Sequence, residues 1–448
     1  MYRVVRISVS KTKYPELFAY ADNISRLAKN LHNAALFRLR QRYTSLDRGT
    51  LNENQMLVQN EIDLVEMSHP RFHAGNILSY NFLERMMRDT DNPDYFADGL
   101  SKQTAQQILK KACSDLKSFD AAAREYIKHP EKFTGRPRIP GYTKSETATF
   151  TFTNQDAVIR GRELKLPLTK LTLPLPEMPE DARLKQTEVK PYMGRYIFFL
   201  TLEVKDAEVN SDMPYVCSID LGVRNAAAIV CNDGSSEIYK GGSLLSGSRL
   251  HAKRKADAVS IITKGHDRMH ASSRHLQHMA YHHECFMRDQ LHKISRRIID
   301  FCTEHKAGTI VIGENRGWKD ESGIGRVNNQ NFHAIAHGML KAMIEYKARY
   351  EGITVIYQEE SYTSKADFTK RDFMPVYGKE NGKPSFSGVR DRGLYICHDG
   401  RIVNADLNGA ANIMRKAMPE ATEIIKDFRF LSEPEVIDFK KLNVKVFR

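Results

Sequence analysis

Apolar residues in the second half of the chain come in short runs bounded by turn residues, a pattern that predicts buried strands. Residues 215–234 contain two such strands joined by a tight bend at Gly222, and residues 309–314 form another. Residues 404–416 are rich in alanine and other small residues and predict a helix that starts near Asp406. Small side chains would let that helix lie close against a sheet built from these strands.

The first 130 residues show helical spacing instead. Apolar side chains recur every three or four positions from Pro15 to about Tyr43. A second helical part runs from about residue 55 to residue 128 and is broken near Pro70 and around residues 89–94. Its best-defined helix begins near Ser101 and has an apolar face made of Ala105, Ile108, Leu109, Ala112 and Leu116. This region therefore predicts a helical domain.

The polar face of that last helix carries a cluster of amides. Gln103, Gln106, Gln107 and Lys110 stand at positions i, i+3, i+4 and i+7, so they share one side of the helix. Glutamine can make a bidentate contact with an adenine edge in the major groove, so this face could read bases. A plain solvated face has the same pattern, and the sequence leaves both interpretations open.

Between residues 147 and 204 the pattern changes to short alternating strands separated by proline and glycine, which predicts a small β-barrel. The first ten residues also alternate like a strand. If they join the barrel, the helical region is an insertion into it. Residues 135–142 precede these strands and form a stiff, basic connector that contains Arg136 and Arg138.

Three carboxylates stand where an acidic side chain needs a compensating partner. Asp220 lies inside an apolar strand, Glu314 at the carboxyl end of another, and Asp406 at the start of the small-residue helix. Because burying an unpaired charge is costly, we expect cations near them. We predict that the three converge on two Mg²⁺ or Mn²⁺ ions, which can activate a water and stabilise the leaving oxygen of a phosphodiester. An Asp220 that is merely hydrogen-bonded at a strand end is the alternative.

Composition narrows the class of partner. The 448-residue chain carries 68 Lys and Arg against 55 Asp and Glu, a net charge of +13 with a pI of about 9.3. This balance favours a polyanionic partner, although a merely basic soluble protein has it too. The N-terminus lacks a signal-peptide core, and no apolar run is long enough to cross a membrane. We therefore expect a cytoplasmic, nucleoid-associated protein with no membrane partner.

Cysteine and histidine usage gives no clear metal site of its own. The six cysteines are scattered without any Cys-x-x-Cys pair and are typical of reduced thiols. His278, His282 and Cys285 have a helical spacing that could hold a metal, but a single helix rarely completes a tetrahedral site. A helix that faces phosphates or solvent is the favoured interpretation of this histidine-rich stretch.

Taken together, these motifs resemble the TnpB family, the transposon-associated relatives of miniature type V CRISPR effectors. The three acidic motifs look like the three RuvC motifs of that family, and a fourth segment looks like the one that precedes its zinc-binding insert. The matching segments are SIDLGVRN (218–225), IVIGEN (310–315), EESYTSK (359–365), NADLNGAANI (404–413), QLHKISRR (290–297) and GRPRIPGY (135–142).

The resemblance implies an α+β multidomain protein with an RNase H-like RuvC nuclease domain, an OB-like wedge β-barrel and an α-helical recognition domain. The RuvC domain would contain a helical insertion and a degenerate, zinc-finger-like insert that loads the target strand. The implied boundaries are 1–10 and 134–212 for the wedge, 11–133 for the recognition domain, 213–418 for the RuvC domain, 245–307 and 361–403 for its two insertions, and 419–448 for a C-terminal tail.

The implied activity is that of an RNA-guided DNA endonuclease. A guide RNA would pair with the target strand while the protein reads a short motif beside the target. The expected partners are a guide RNA and double-stranded DNA, and the choice between monomer and dimer stays open. Nucleic-acid contacts are expected from the following residues: Gln103, Gln106, Gln107, Lys110, Arg136, Arg138, Arg224, Asn225, Arg296, Arg297, Lys365, Arg390 and Arg392.

One departure from the family concerns zinc. Many relatives carry four cysteines between the second and third acids, whereas here residues 361–368 contain none and Cys397 stands alone. No zinc is therefore expected, and the insert must be stabilised in another way. Two other functions stay open, namely a catalytically silent RNA-guided repressor and an unguided RNase H-like nuclease or transposase. The presence of all three acids disfavours the repressor. The unguided nuclease would use the same acids, but it would not need the large basic helical half and the barrel.

Overall fold

The protein is described by a computed structural model over residues 2–46, 49–205, 207–208, 212–264, 272–314, 336–376, 378 and 384–439. The chain divides into two compact units, Met1–Lys205 and Asp206–Arg448, and both combine helices with sheets. The mixed α+β class predicted from the sequence is thus confirmed. None of the helices in these ranges is long and apolar enough to cross a membrane. Parts of the predicted inserts and tail lie outside the described residues, namely 265–271, 377, 379–383 and 440–448, as do residues 315–335 of the predicted RuvC domain.

Helices supply much of the core of the first unit. Their bounds are α1 (Pro15–Ser45), α2 (Glu53–Ser68), α3 (Tyr80–Asp89) and α4 (Lys102–Lys128). The predicted apolar face of α4, from Ala105 to Leu116, is buried. The side chains of Asn52, Ser79 and Ser101 cap α2, α3 and α4, and each accepts a hydrogen bond from a backbone N–H of the first turn. Serine and asparagine at these positions therefore explain where the helices begin.

The strands of the first unit form two antiparallel sheets. Their bounds are β1 (Tyr2–Val9), β2 (Phe150–Thr153), β3 (Val158–Arg160), β4 (Glu163–Lys165), β5 (Thr172–Pro174), β6 (Arg183–Tyr192) and β7 (Arg195–Glu203). One sheet has the order β1-β7-β6-β2 and the other β3-β4-β5, so the described strands do not close into the single barrel that was predicted. Among the described residues, no strand of the first sheet pairs through backbone hydrogen bonds with a strand of the second. As predicted, β1 pairs with β7, which makes the helices an insertion between strands of one sheet.

A six-stranded sheet lies at the centre of the second unit. Its strands are β8 (Tyr215–Asp220), β9 (Asn225–Cys231), β10 (Ser236–Lys240), β11 (Ala307–Glu314), β12 (Thr354–Glu359) and β16 (Glu435–Ile437). Their order is β12-β11-β8-β9-β10-β16, and β11 runs parallel to both β8 and β12. The carboxyl ends of β8, β11 and β12 therefore lie at the same end of the sheet.

Helices cover both faces of this sheet. Their bounds are α5 (Gly242–Ile262), α6 (Arg274–Glu304), α7 (His337–Tyr350) and α8 (Ala405–Ala417). Ile219 and Ile312 pack on one face with α6 and α7, whereas Val216 and Val311 pack on the other face with α8. Alternate residues of β8 and β11 thus face opposite layers, as expected of strands buried on both sides.

A small antiparallel sheet leads the chain into α8. It consists of β13 (Val389–Asp391), β14 (Leu394–Ile396) and β15 (Ile402–Asn404). The helix α8 lies close to β8, because the hydroxyl of Ser218 on β8 donates a 2.6 Å hydrogen bond to the carbonyl oxygen of Ala410 on α8. Such a short approach requires small residues on the helix, which is the arrangement predicted from the sequence.

Candidate active site

Two of the three predicted acids meet in a cleft of about 1030 Å³ in the second unit. We call it the Asp220–Asp406 cleft after these residues. Its walls come from the bend after β8, the segment after β12 and the turn between β13 and β14. Its other charged side chains are Arg224, Lys240, Glu360, Arg390, Arg392 and Asp438. Segments that are far apart in the sequence therefore bring carboxylates and cations to one place.

Asp220 is the last residue of β8 and faces α8. A methyl group at Gly409 would lie 2.7 Å from its Oδ2, so the glycine leaves the space that the carboxylate occupies. Burial raises the pKa of Asp220 to about 8, the negative charges of Asp406 and Glu360 contribute in the same direction, and Arg390 opposes them. The negative charges of Asp406 and Glu360, which help to raise this pKa, also favour the approach of a cation.

Asp406 lies in the first turn of α8. The Asn404 side chain caps this helix by accepting hydrogen bonds from the N–H groups of Asp406 and Leu407. Both carboxylate oxygens of Asp406 have partners, since Oδ1 lies 2.9 Å from the guanidinium of Arg390 and Oδ2 accepts a 2.8 Å hydrogen bond from Asn225. Two residues predicted to contact nucleic acid thus orient the Asp406 carboxylate.

The third predicted acid, Glu314, ends β11 and does not line the Asp220–Asp406 cleft. Glu360, one residue after β12, lines it instead. Sequence reasoning missed Glu360 because it falls within the motif that precedes the insert; the signal that could have identified it is an acidic pair directly after an apolar strand. Among the residues that the structure describes, no three His, Cys, Asp or Glu side chains already converge closely enough to hold one metal ion.

Three more of the predicted nucleic-acid contacts lie at or beside this cleft. Arg224 and Arg392 are exposed and line it, and Arg392 stands in the turn between β13 and β14 with a φ of 54°. Lys365 is exposed, and its ammonium lies 5.7 Å from the ring centre of Tyr362, another cleft residue. These cations are placed where a phosphate entering the cleft could reach them.

The two predicted contacts on α6 are paired within the protein instead. Arg296 lies 3.2 Å from Glu351, and Arg297 forms an ion pair with Glu237, whose side chain is 2% exposed. A buried carboxylate that loses its partner is strongly destabilising. Arg297 therefore has a structural role, and neither guanidinium stands unpaired for a phosphate.

The predicted base-reading face lies on α4, in the first unit. Gln106 donates a 3.1 Å hydrogen bond to Glu84 of α3, and the Lys110 ammonium lies 4.9 Å from the ring centre of Tyr80. The glutamines are half-buried, namely Gln103, Gln106 and Gln107. This face is thus partly engaged with α3, and base reading by it stays a prediction. Exposed basic side chains in the same unit include those of Arg136 and Arg138.

The histidines of α5 and α6 contact one another. The Nε2 atoms of His278 and His282 are 2.9 Å apart, and the rings of His251 and His283 stack with their centres 4.2 Å apart. Together with Cys285, His278 and His282 do not form a three-ligand cluster in the described part of the chain. The stacked rings of His251 and His283 connect α5 with α6, whereas His278 and His282 contact each other within α6.

A buried carboxylate stabilises the insert that follows β12. Asp367 is fully buried and accepts hydrogen bonds from the backbone N–H of Thr369 at 2.8 Å and of His398 at 2.7 Å. Burial by itself would raise the pKa of Asp367, but these hydrogen bonds outweigh it and hold the pKa below its ordinary value. The network connects the two ends of the insert.

Replacing Asp367 with asparagine is expected to lower the free energy of unfolding by about 1–3 kcal/mol, because an NH2 group replaces one of the two oxygens that accept hydrogen bonds from backbone N–H groups. The folded-state pKa of Asp367 is lowered, so its stabilisation is present above the ordinary aspartate pKa and is lost as the pH falls through the folded value. Urea unfolding near neutral pH and in acid measures both effects. Asp399→Asn, which alters an exposed pair with Arg401, is the control. Equal stability of Asp367→Asn and wild type at neutral pH would contradict the assignment.

Comparison with protein families gives two matches, which lie between residues 199 and 413. Residues 199–319 match a family described as a probable transposase, OrfB_IS605, and residues 337–413 match the Cas12f1-like TNB domain. The first match contains Asp220 and Glu314, and the second contains Glu360 and Asp406. The acids of the cleft therefore come from both matched regions.

Two curated proteins are related to the chain at low identity. The CRISPR-associated endodeoxyribonuclease Cas12f2 of a Micrarchaeota archaeon is 23% identical over 242 residues, which cover 52% of this chain and 42% of that protein. The TnpB-like protein ORF457 of Acidianus two-tailed virus is 27% identical over 226 residues, which cover 47% of this chain and 44% of that protein. The chain thus spans less than half the length of either relative.

Solved structures similar to the chain include a Cas12f1–sgRNA–target DNA complex, with 15% identity and a TM-score of 0.45 over 87% of this chain and 82% of that chain. C2c1 of Alicyclobacillus acidoterrestris with a single-guide RNA has 9% identity and a TM-score of 0.43 over 96% and 89%. From the two family matches and the two curated relatives, the predicted resemblance is confirmed: the chain is similar to TnpB proteins and to the related Cas12f effectors.

Proposed function

We propose that the protein is an RNA-guided DNA endonuclease that cleaves its target beside a short adjacent motif. The observation that carries this proposal is the meeting of Asp220 and Asp406 in one cleft that also holds arginines and a lysine. Carboxylates suit the metal ions of phosphodiester hydrolysis, and arginines suit the phosphate. The names of the relatives, an endodeoxyribonuclease and a TnpB-like protein, support the reaction class.

The residues of the cleft fit a divalent metal ion. Their donors are carboxylate oxygens, which Mg²⁺ and Mn²⁺ prefer as ligands. Gly409 provides a space beside Asp220 that a Cβ would fill. When bound, two such ions would supply an activated water and stabilise the leaving oxygen. The part of Asp220 and Asp406 is to hold the ions at a fixed point between the sheet and α8.

In this proposal Arg390 contacts both a carboxylate of the cleft and a phosphate of the substrate. Its guanidinium pairs with Asp406 while its Nε donates to the carbonyl oxygen of Arg392, so the turn between β13 and β14 is held over the acid. With a metal ion held by Asp406, the guanidinium of Arg390 would be available for a phosphate oxygen, which suits it as well as a carboxylate does. Arg390 would then position the scissile strand, which agrees with its place in the predicted strand-loading insert.

Arg390→Ala is accordingly expected to slow single-turnover cleavage by at least about tenfold, which corresponds to about 1.4 kcal/mol of transition-state stabilisation. Target affinity should change much less, because the guide carries most of the binding. Arg401→Ala, an exposed arginine of the same insert paired with Asp399, is the matched control. Equal losses in rate and affinity for Arg390→Ala would instead indicate a general nucleic-acid clamp.

The partners proposed for the chain are a guide RNA and double-stranded target DNA. Base pairing would carry the sequence information, and the protein would hold the A-form duplex by its backbone. The predicted domain boundaries belong to this proposal: a wedge at 1–10 and 134–212, a recognition domain at 11–133 and a RuvC domain at 213–418. The excess of basic residues fits such polyanionic partners.

Purification from a host that carries the gene with its flanking DNA tests the proposal, because RNA that co-purifies can be sequenced. The reconstituted complex should cut a plasmid that carries the complement of the guide beside a randomised flank, in the presence of Mg²⁺. Cutting without RNA would favour the unguided nuclease or transposase. Guided binding without cutting would favour the silent repressor.

A further inference from the structure

We propose that Glu360, and not Glu314, is the third carboxylate of the metal site formed with Asp220 and Asp406. The inference rests on the proposed nuclease function and deepens it by assigning one of its ligands. The two candidates end neighbouring parallel strands, since Glu314 is the last residue of β11 and Glu360 directly follows β12. Their positions relative to the two faces of the sheet decide between them.

The alternation of β11 directs Glu314 away from Asp220. Successive side chains of a strand point to opposite faces of its sheet. Ile312 is buried against α6 and α7, so Glu314, two residues further along the same strand, belongs to that face. Asp220 stands on the opposite face, where its carboxylate contacts Gly409 of α8.

The surroundings of Glu314 agree with this placement. Tyr357 on β12 is the register partner of Ile312 on β11, so it shares the face to which Glu314 belongs. The Tyr357 hydroxyl donates a 3.2 Å hydrogen bond to Glu345 of α7. Glu314 is therefore close to a tyrosine that faces α7, on the side of the sheet away from α8.

Glu360 lies on the α8 side. Its carboxylate stands against Gly313, the residue of β11 that shares a face with Val311, and a methyl group at position 313 would collide with Glu360 Oε2. The same methyl group would lie 2.8 Å from Ile413 of α8. Glycine at 313 thus leaves beside the strand the space that the Glu360 side chain uses, just as Gly409 does for Asp220.

The neighbouring acid, Glu359, is less suited to be a metal ligand. Glu359 is already engaged, since Lys416 of α8 lies 2.6 Å from its Oε2 and the Ser361 N–H donates a 2.8 Å hydrogen bond to its Oε1. Within the described ranges, by contrast, the Glu360 carboxylate accepts no hydrogen bond. Glu360 and Asp220, each of which lies beside a glycine, thus face one cleft together with Asp406. Carboxylate oxygens are the donors that Mg²⁺ and Mn²⁺ require.

The test compares Glu360→Gln with Glu314→Gln in the 448-residue chain bound to its guide RNA. Mn²⁺ binding is followed by electron paramagnetic resonance, and cleavage of the guided target is measured in a single turnover. Glu360→Gln should weaken Mn²⁺ binding by at least about tenfold and slow cleavage by at least about a hundredfold, because a ligand is lost. Glu314→Gln and the matched control Glu359→Gln should stay within about threefold of wild type in Mn²⁺ affinity.

The opposite pattern, with loss of Mn²⁺ affinity at Glu314→Gln and wild-type affinity at Glu360→Gln, overturns the assignment. A further variant, Gly313→Ala, moves the Glu360 carboxylate without removing an acid, and it too should weaken Mn²⁺ binding. Melting temperatures with bound guide establish that each variant is folded. If wild type cuts no guided target, the proposed function fails, yet the Mn²⁺ affinities still decide between the two glutamates. If wild type and Glu360→Gln cut equally well, only the assignment fails.

Discussion

Replacing Asp220 or Asp406 with asparagine is expected to lower the single-turnover rate of guided cleavage by at least about a thousandfold, or about 4 kcal/mol. Asparagine keeps the shape of the side chain but removes the negative charge that an ion needs. The Asn404 cap of α8 and the packing of β8 do not depend on that charge, so the fold should persist. Target binding is therefore expected to stay within about threefold of wild type.

Gel-based cleavage and filter-binding assays on the same guide and target measure the two quantities. Asp427→Asn is the matched control, because Asp427 is an exposed carboxylate paired with Arg429 that does not line the Asp220–Asp406 cleft. Wild-type cutting by both the Asp220 and the Asp406 variants would remove the metal site from the mechanism. Parallel loss of binding and cutting would point to damage to the fold.

The second large effect concerns stability and pH. The pKa of Asp220 in the folded protein is raised to about 8, so folding favours the protonated carboxyl group. At a pH below the ordinary aspartate value, the group is neutral in both states and costs nothing. As the pH rises towards 8, Asp220 ionises first in the unfolded state. The free energy of unfolding therefore falls, by about 2–5 kcal/mol.

Asp220→Asn does not titrate, so it should melt at a higher temperature than metal-free wild type near pH 8 and at nearly the same temperature near pH 4. Added Mn²⁺ should stabilise wild type and leave the variant almost unchanged, because an ion binds the ionised carboxylate of the folded state. Thermal melts across this pH range, with a chelator and with Mn²⁺, measure both effects. A difference in melting temperature that is the same at both pH values would show that Asp220 does not titrate in this way.

Sequence reasoning predicted well those features that depend on local periodicity. The apolar face of α4 is buried, β8 and β9 pair across a bend, and the small residues of α8 lie against the sheet. Each of these follows from the spacing of apolar residues and from the size of the side chain, both of which are visible in the chain itself. Asp220 and Asp406 could be identified for the same reason, since an acid in an apolar strand or at a helix start stands out locally.

Pairing partners could not be predicted in this way. The alternation of apolar residues indicates the strands of the first unit, but it does not specify which edges join, and the described strands form two sheets instead of one barrel. Likewise, the basic character of α6 shows that Arg297 is charged, but it does not show that Arg297 pairs with the buried carboxylate of Glu237. Contacts between segments tens of residues apart decide such cases, and composition carries no record of them.

The sequence by itself determined the elements, the basic charge and two acids of the Asp220–Asp406 cleft. Only the tertiary structure decided which glutamate stands near them. Glu314 ends one apolar strand and Glu360 directly follows another, so the two look equivalent in the chain. The parallel pairing of β11 with β8 and β12 assigns a face to every residue, and an offset of one position along a strand moves a side chain to the other face. Glycine at 313 then leaves the space on the α8 face for Glu360, while Glu314 stays on the face of α7.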